Sequence, residues 1–348
     1  MNQLNITKPI ISKRATHPNF EHRHAAHCET GVVSSLLRHY GLDISEPMTF
    51  GISAAMFFTH LPFVKIEGFP LTAYRQIPGA VIKTIQKNLG VKFKLERFRQ
   101  PQAGTAALNQ HIGDNHIVGL QASVFWLPYF PPDMRFHFNA HNLIVYGKEG
   151  DDYNISDPVA EFTVTCPEKD LQKARFVKGV FAPKGLIYYP TYLPDEIDLT
   201  QAITKSIRTV TKRMLKTPVP FFGIRAIRHV ANKLSRLDRQ DVDPRYAKLF
   251  IGMIVRMQEE IGTGGGGFRF MYASFLQESA QLLHNDQLFE ASELMTTAGD
   301  TWREFALLGA KFCKKKTDIN LSQLASAMHQ CADTEEKAFH FLDKIKFR

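Results

Sequence analysis

The chain has 348 residues, of which 44% are hydrophobic and 22% charged, and its formal net charge is +9. This composition is typical of a globular protein, excludes a disordered or fibrous chain, and at this length favours two domains. The N-terminus shows no apolar secretory signal, and no apolar run approaches the roughly 20 residues that cross a bilayer. We therefore expect a cytoplasmic protein that does not insert into membranes. The four cysteines lack CxxC spacing, which argues against a disulfide framework or a thiolate zinc site.

The first half of the chain mixes predicted helices and strands. Apolar residues at helical spacing predict helices over 29–40 and 81–89, each followed by a glycine. Sequence rich in β-forming residues predicts extended segments over 117–126, 142–146, 153–156 and 176–189, the last of them ended by Pro190. A turn with glycines and acids separates the two middle segments, which predicts that they pair as a hairpin.

The second half of the chain is predominantly helical in pattern. Apolar periodicity predicts six helices, over 199–216, 222–237, 244–261, 268–283, 287–314 and 321–345. The change of character falls in the proline-containing stretch 189–194. We therefore predict an α+β protein with an N-terminal domain over 1–192 and an all-α C-terminal domain over 193–348.

Cys28 is a candidate nucleophile because it opens the first predicted helix. The unpaired N–H groups and the positive end of the helix dipole at that position favour a thiolate over a thiol. His27 immediately before it adds cationic character. A buried structural cysteine is the alternative interpretation of the same residue.

His141 and Asp157 lie at the ends of the two predicted hairpin strands. Pairing of those strands makes the two side chains neighbours, so the carboxylate can orient the imidazole and the imidazole can act as general base toward a thiol. The chain order Cys28, His141, Asp157 is the order of papain-like enzymes. The three residues together predict a Cys-His-Asp catalytic site.

Three segments of the N-terminal half resemble the butirosin biosynthesis protein H family: AHCET from Ala26, LLRHYG from Leu36 and SEPMTFG from Ser45. The tract GGGGFRFMYA from Gly264, with Trp302, resembles the helical domain that often follows in this family. The segments HNLIVYG from His141 and SDP from Ser156 are also similar to the bacteriocin-processing peptidase domains of ABC exporters, where they hold the catalytic His and Asp. The resemblance implies a papain-like cysteine-peptidase fold for the N-terminal domain.

The family resemblance also implies an activity. Its members are acyltransferases that pass an acyl group from an acyl-carrier-protein thioester to an amine, so we expect Cys28 to attack the thioester, His141 to move the proton and Asp157 to orient His141. Two alternatives stay open from the sequence. One is a cysteine peptidase or amidase, and the other is a catalytically silent module that binds a carrier protein.

The oxyanion donor is where the chain departs from the resemblance. The exporter peptidases carry a Gln six residues before the cysteine, whereas this chain has His22 there. We predict that an imidazole N–H of His22 takes this role, with His27 in support. The aromatic segments 126–132 and 136–138 precede His141 and are consistent either with an acyl-chain tunnel or with core packing.

Two regions of the C-terminal domain suggest carrier recognition. The glycine-rich stretch 262–267 has backbone N–H groups that could hold the phosphate of a phosphopantetheine arm, which predicts a site formed by Gly264, Gly265, Arg269 and Tyr272. A flexible hinge is the alternative. Ten Lys or Arg against one acid lie between 205 and 239, and there Arg208, Lys212 and Arg213 predict a docking face for an acidic acyl carrier protein. A merely solvated face explains the same charges.

The remaining expectations concern ligands and partners. The sequence His22-x-His24-x-x-His27 next to Cys28 has zinc-binding residue types but no second ligand cluster, so we predict no metal site. We expect no cofactor of the protein's own, because the phosphopantetheine arm comes with the donor and a thioester is already activated. No nucleic-acid motif accompanies the basic charges, so the expected partners are the carrier protein and a small amine.

Overall fold

A computed structural model of the chain describes residues 10–12, 19–66, 68–237, 243–314 and 319–347. The strands of this part are β1 (Ile10–Ser12), β2 (Met56–Ile66), β3 (Phe69–Arg75), β4 (Lys92–Glu96), β5 (Val118–Ala122), β6 (His141–Glu149), β7 (Asp152–Ser156), β8 (Val164–Pro167), β9 (Ile187–Tyr192) and β10 (Glu196–Asp198). The α-helices are α1 (Cys28–His39), α2 (Glu46–Ile52), α3 (Ala80–Leu89), α4 (Pro101–Gly113), α5 (Glu168–Arg175), α6 (Leu199–Lys216), α7 (Gly223–Leu234), α8 (Pro244–Glu259), α9 (Arg269–Leu283), α10 (Asp286–Lys314) and α11 (Leu321–Lys344).

The chain divides into two compact units. The sheet unit contains Ile10–Thr49 and Pro78–Asp198, and the helical unit contains Phe50–Ile77 and Leu199–Arg348. The mixed first unit and the helical C-terminal region confirm the predicted α+β class. The unit boundaries differ from the predicted division at 192/193, because the segment 50–77, expected in the N-terminal domain, belongs to the helical unit.

The sheet unit is built on a six-stranded antiparallel sheet with the order β4-β9-β5-β6-β7-β8. Helix α1 packs on β6, β5 and β9, while Leu108 of α4 and Leu171 of α5 join the core formed by alternate residues of β5, β6 and β7. The predicted hairpin is present: β6 pairs with β7 from Ile144↔Ser156 to Glu149↔Asp152, with a register shift between Val145 and Gly147. This pairing sets the relative positions of the residues at the two strand ends.

The prediction that extended structure stops at Pro190 is wrong. It lies inside β9 and pairs with Phe93 of β4, next to a register shift. Strand β5 pairs with β9 only at Ile187 and Tyr188. At Pro190 the side of β9 that faces β5 is unpaired. A proline, which has no N–H to donate, is therefore tolerated there.

In the helical unit, the β2–β3 hairpin packs against α6, α7 and α8. The ring of Phe58 on β2 lies 5.7 Å from that of Trp302, and the ring of Tyr74 on β3 lies 5.3 Å from it. These aromatic contacts explain why the hairpin folds with the helices rather than with the neighbouring sequence. Among the described residues, no helix has the length and apolar character that crossing a bilayer requires.

Candidate active site

Cys28 is the first residue of α1, as the sequence predicted, and only 6% of it is exposed. The loop that leads to it is fixed by Glu46, whose carboxylate accepts hydrogen bonds from the backbone N–H groups of Ala26 at 3.0 Å and His27 at 2.8 Å. The N-terminal end of a helix favours negative charge on a side chain placed there. The thiol is therefore held rigidly at a position that suits a thiolate.

His141 and Asp157 form a buried pair. His141 opens β6 and Asp157 directly follows β7, and the distance from Nε2 of His141 to Oδ2 of Asp157 is 2.6 Å. The carboxylate is completely buried and also accepts hydrogen bonds from the Tyr129 hydroxyl at 2.7 Å and the Val159 N–H at 3.1 Å. Three donors, from His141, Tyr129 and Val159, thus converge on the Asp157 carboxylate and fix its position next to the imidazole.

The surroundings of His141 favour its protonated form. Burial by itself would lower the pKa of His141, but the charge and hydrogen bond of Asp157 and a hydrogen bond with Cys28 raise that pKa to about 10. Because Nε2 is bonded to Asp157, Nδ1 is the ring nitrogen that remains for Cys28. The ring of Phe130 lies edge-on at 5.7 Å and covers the imidazole. Sulfur, imidazole and carboxylate therefore form a row within the sheet unit.

A pocket of about 230 Å³ lies beside this row. Its polar lining includes Glu29, Gln121 and Asn142, and its apolar lining includes Ile82 and Leu186. The carboxylate of Glu29 accepts hydrogen bonds from the backbone N–H groups of Gly79 and Val81, at 2.9 and 3.2 Å, at the start of α3. Asn142 lies 3.9 Å from the Cys28 sulfur through its Nδ2 atom. Glu29, Glu46, Tyr129 and Asn142 are not among the site residues that the sequence patterns predict.

His22 and His27, the predicted oxyanion donors, make their hydrogen bonds to other groups than Cys28. Nδ1 of His22 hydrogen-bonds with the Ser156 hydroxyl at 2.7 Å, and Nε2 donates to the Ala160 carbonyl at 3.1 Å, so both nitrogens hold the loop that carries Asp157. His27 is the N-cap of α1 and its Nδ1 interacts with Thr30. His22 and His27 therefore support the site from outside.

Residues 27–158 match the family described as Butirosin biosynthesis protein H, N-terminal, and residues 169–342, which are half of the chain, match the Domain of unknown function DUF4872. The chain belongs to the family that carries the DUF4872 domain. Its residues 27–158 are similar to the N-terminal domain of the butirosin biosynthesis protein H family. A crystal structure of a C39-like peptidase from Bacillus anthracis matches 51% of this chain and 96% of its own, with 13% identity and a TM-score of 0.36. No curated protein matches the chain.

In this family member, the glycine-rich stretch is occupied by the protein itself. The N–H of Gly266 donates to Glu259 at 3.1 Å and that of Gly265 to the Thr263 hydroxyl at 3.1 Å. A carboxylate therefore sits at the place where a bound phosphate was expected. Of the other residues predicted there, Arg269 and Tyr272 are fully buried, and Gly264 has a positive φ of 68°. In the structure these contacts give the stretch a packing role, and the phosphate site stays a prediction.

The predicted docking residues on α6 differ in exposure. Arg208 and Lys212 are exposed, whereas Arg213 is partly buried and donates to the Ala54 carbonyl at 3.2 Å. Arg213 is thus bound to its own unit, and two of the three basic side chains remain on the surface. Arg239, the last basic residue of the charged stretch, lies outside the described residues.

The histidines before Cys28 do not converge. His22 and His27 hold the contacts given above, and His24 is exposed. Within the described ranges, no group of three or more His, Cys, Asp or Glu side chains is arranged to hold a metal ion.

Proposed function

We propose that this protein is a cysteine acyltransferase that moves an acyl group from an acyl-carrier-protein thioester to an amine. The observation that carries this proposal is the buried row in which Asp157 lies 2.6 Å from His141, which in turn hydrogen-bonds with Cys28 at the start of α1. A positive imidazolium beside a sulfur at a helix N-terminus favours the thiolate, the nucleophilic form. The family and its papain-like fold support a cysteine-type enzyme.

In the first step, the Cys28 thiolate attacks the thioester carbonyl and forms a bond from its sulfur to the acyl carbon. The bond from that carbon to the phosphopantetheine sulfur breaks, and this sulfur takes the proton of His141. In the second step the amine attacks the acyl-Cys28 carbonyl, its proton passes to His141, and Cys28 leaves as thiolate. Asp157 orients the ring and stabilises its charged form throughout.

The donor brings its own phosphopantetheine arm, so the reaction needs no resident cofactor. Arg208 and Lys212 are exposed on α6 together with Lys205. Their positive charge suits an acidic carrier protein and would raise its encounter rate at low salt. We assign these residues to carrier docking as part of the proposal.

Reversing both charges, in Arg208→Glu with Lys212→Glu, is expected to weaken carrier binding at low ionic strength and to change it little at high salt. Unchanged binding at low salt would contradict the docking role.

Intact mass spectrometry tests the covalent step. The protein is mixed with a series of acyl-carrier thioesters, and we expect the mass of one acyl group to be added to the parent and not to Cys28→Ala. Cys313 is the partly exposed cysteine of the described residues, while Cys166 and Cys331 are buried, so both proteins should carry Cys313→Ser. No mass gain with any donor, although the carrier binds, would favour the silent carrier-binding module.

Partitioning of the acyl-enzyme distinguishes transferase from hydrolase. A set of primary amines is added to the acylated protein, and release of the acyl group is followed by mass. Release as amide at a rate that rises with amine concentration supports transfer. Release only as free acid, independent of amine, would show a peptidase or amidase instead.

A further inference from the structure

We propose that the side-chain amide of Asn142 donates a hydrogen bond to the oxyanion that forms when Cys28 attacks an acyl group. The inference rests on the proposed function in one respect, that Cys28 is a nucleophile toward acyl carbons. Stabilising the negative oxygen of a tetrahedral intermediate is among the largest contributions to acyl transfer. The chain therefore needs a donor close to Cys28, and His22 does not supply it because both of its ring nitrogens are bonded to Ser156 and Ala160.

The distance from Asn142 to the sulfur fits an oxyanion donor. Nδ2 lies 3.9 Å from Sγ, which is too long for a strong hydrogen bond to sulfur itself. An oxyanion-hole donor lies about 2.7–3.1 Å from the oxygen, and the oxygen stands away from the sulfur by one carbon, so a donor about 4 Å from the sulfur is expected. The amide is therefore placed for an oxygen that is absent until Cys28 is acylated.

The orientation of the amide is fixed on both sides. Nδ2 donates one hydrogen to the Ala140 carbonyl at 3.0 Å, and Oδ1 accepts a hydrogen bond from the Tyr188 hydroxyl at 2.9 Å. A flipped amide would place two oxygens against each other at Ala140, so the nitrogen has to be on this side. The second N–H of Nδ2 is the one that is directed toward Cys28. Tyr188 is fully buried and acts as a positioning residue for Asn142.

Burial increases the effect of this donor. Asn142 is 3% exposed and lies on the face of β6 that α1 covers, next to its register partner Gln121. A hydrogen bond to a developing charge is stronger where water is excluded, and a donor held in place before the reaction needs no reorganisation. The pocket of about 230 Å³ is lined by Asn142 itself and by Glu29, the residue after Cys28, so the amide borders open space on the side of the pocket.

Two reactions of the same thiol separate this role from a structural one. Acylation of Cys28 by p-nitrophenyl acetate passes through an oxyanion, whereas alkylation by iodoacetamide is a displacement at saturated carbon and forms none. Asn142→Leu, which keeps the side-chain size, is expected to lower the acylation rate by about 10²–10³-fold. The alkylation rate should stay within about threefold of the parent. Both rates are measured by mass in the Cys313→Ser protein.

Matched variants complete the experiment. Tyr188→Phe removes only the hydroxyl that holds Oδ1, so it should lower acylation by about tenfold and leave alkylation unchanged. Asn154→Leu on the neighbouring strand, where the amide bonds with Glu149, is the control and should leave both rates unchanged. Thermal unfolding of each variant verifies that the fold is retained.

The possible failures are distinguishable. Equal losses of acylation and alkylation in Asn142→Leu would overturn the inference, since the residue would then support the thiolate rather than the oxyanion, and so would full acylation activity in that variant. An Asn142-dependent acylation by p-nitrophenyl acetate in a protein that no carrier thioester acylates would leave the inference in place and overturn the proposed function. If the parent protein is alkylated at Cys28 but acylated neither by p-nitrophenyl acetate nor by a carrier thioester, both the inference and the proposed function are overturned.

Discussion

The two units each contain a buried ion pair with a cysteine nearby. In the sheet unit, His141 and Asp157 are 2.6 Å apart, and Cys28 hydrogen-bonds with the imidazole. In the helical unit, Arg269 and Glu335 are 2.7 Å apart and both completely buried, and the charge of Glu335 acts on Cys331. The Cys28 sulfur thus lies next to the cation of its pair, His141, whereas the Cys331 sulfur is exposed to the negative charge of Glu335.

The difference shows which features make a buried pair reactive. Arg269 donates to the Gly267 carbonyl, and the Trp302 indole donates to Glu335. A guanidinium does not act as a proton shuttle in proteins. Burial and then the Glu335 charge raise the pKa of Cys331, which keeps it an inert thiol. His141 can give up its proton and stands next to Cys28. A buried pair is therefore a candidate catalytic site when it includes a titratable cation beside a nucleophile, and otherwise it is structural.

Replacing the carboxylate of the reactive pair should have the largest effect. Asp157→Asn keeps the shape but removes the charge that orients His141, and removing the equivalent charge in serine proteases lowers kcat by about 10⁴-fold. We expect a loss of that order in the acylation rate of Cys28, measured by mass with a carrier thioester. Little change in rate would show that His141 works without its partner and would remove the contrast between the two pairs.

Breaking the structural pair should reduce stability rather than reactivity. Glu335→Leu leaves the Arg269 guanidinium buried without its anion, so the free energy of unfolding should fall by about 3–5 kcal/mol. Urea unfolding measures this. The double variant Arg269→Met with Glu335→Leu should recover most of the loss, because two apolar side chains can replace a buried pair. A lasting loss in the double variant would mean that the pair's own attraction stabilises the unit.

The pH dependence of stability should reveal the reactive pair and not the structural one. The pKa of His141 in the folded protein is about 10, above the unfolded value of about 6.5. A raised pKa adds stability that is fully present below pH 6.5 and is lost as pH rises toward 10. At one proton per molecule the loss is at most about 2–3 kcal/mol between pH 7 and 9. Unfolding of the parent should show this slope, His141→Gln should flatten it, and Glu335→Leu should keep it.

The smallest effect is expected at the edge of the site. His22→Ala removes the hydrogen bonds with Ser156 and Ala160, each of which contributes about 1 kcal/mol. Thermal unfolding should shift accordingly, while acylation of Cys28 should stay within about threefold. A 10²-fold or larger loss of acylation without loss of alkylation would instead identify His22 as an oxyanion donor.

Much of the secondary structure could be predicted because it follows from local pattern. The helices of the second half begin or end within a few residues of their predicted limits, since apolar residues recur at helical spacing and residues such as Asp243, the N-cap of α8, mark an end. The division into units could not be predicted this way. The β2–β3 hairpin joins the helices through Phe58, Tyr74 and Trp302, and such contacts between distant residues leave no local signal.

Site residues could be predicted where they give a local sequence signal and were missed where their partners come from distant parts of the chain. Cys28, His141 and Asp157 lie at ends of elements, where a polar residue beside an apolar segment is conspicuous, and the structure brings the three together. Asn142 lies within the apolar segment NLIVY, where its amide was itself a signal, because a buried polar side chain needs partners. Tyr129 gives no such signal in its aromatic segment, since its hydroxyl finds Asp157 only after folding.

The register shift in the β6–β7 hairpin has a consequence for how this region can vary. Val145 pairs with Ile155 and Gly147 with Asn154, so Tyr146 is one extra residue on β6 between the turn and His141. Because side chains alternate between faces with a period of two, an odd number of residues lost or gained here would rotate the imidazole away from its carboxylate. Insertions or deletions in the turn at Gly150 lie outside the paired strands, so they do not change which face of the sheet His141 is on. Homologous chains should therefore differ freely in the turn while conserving the spacing from His141 to Gly147.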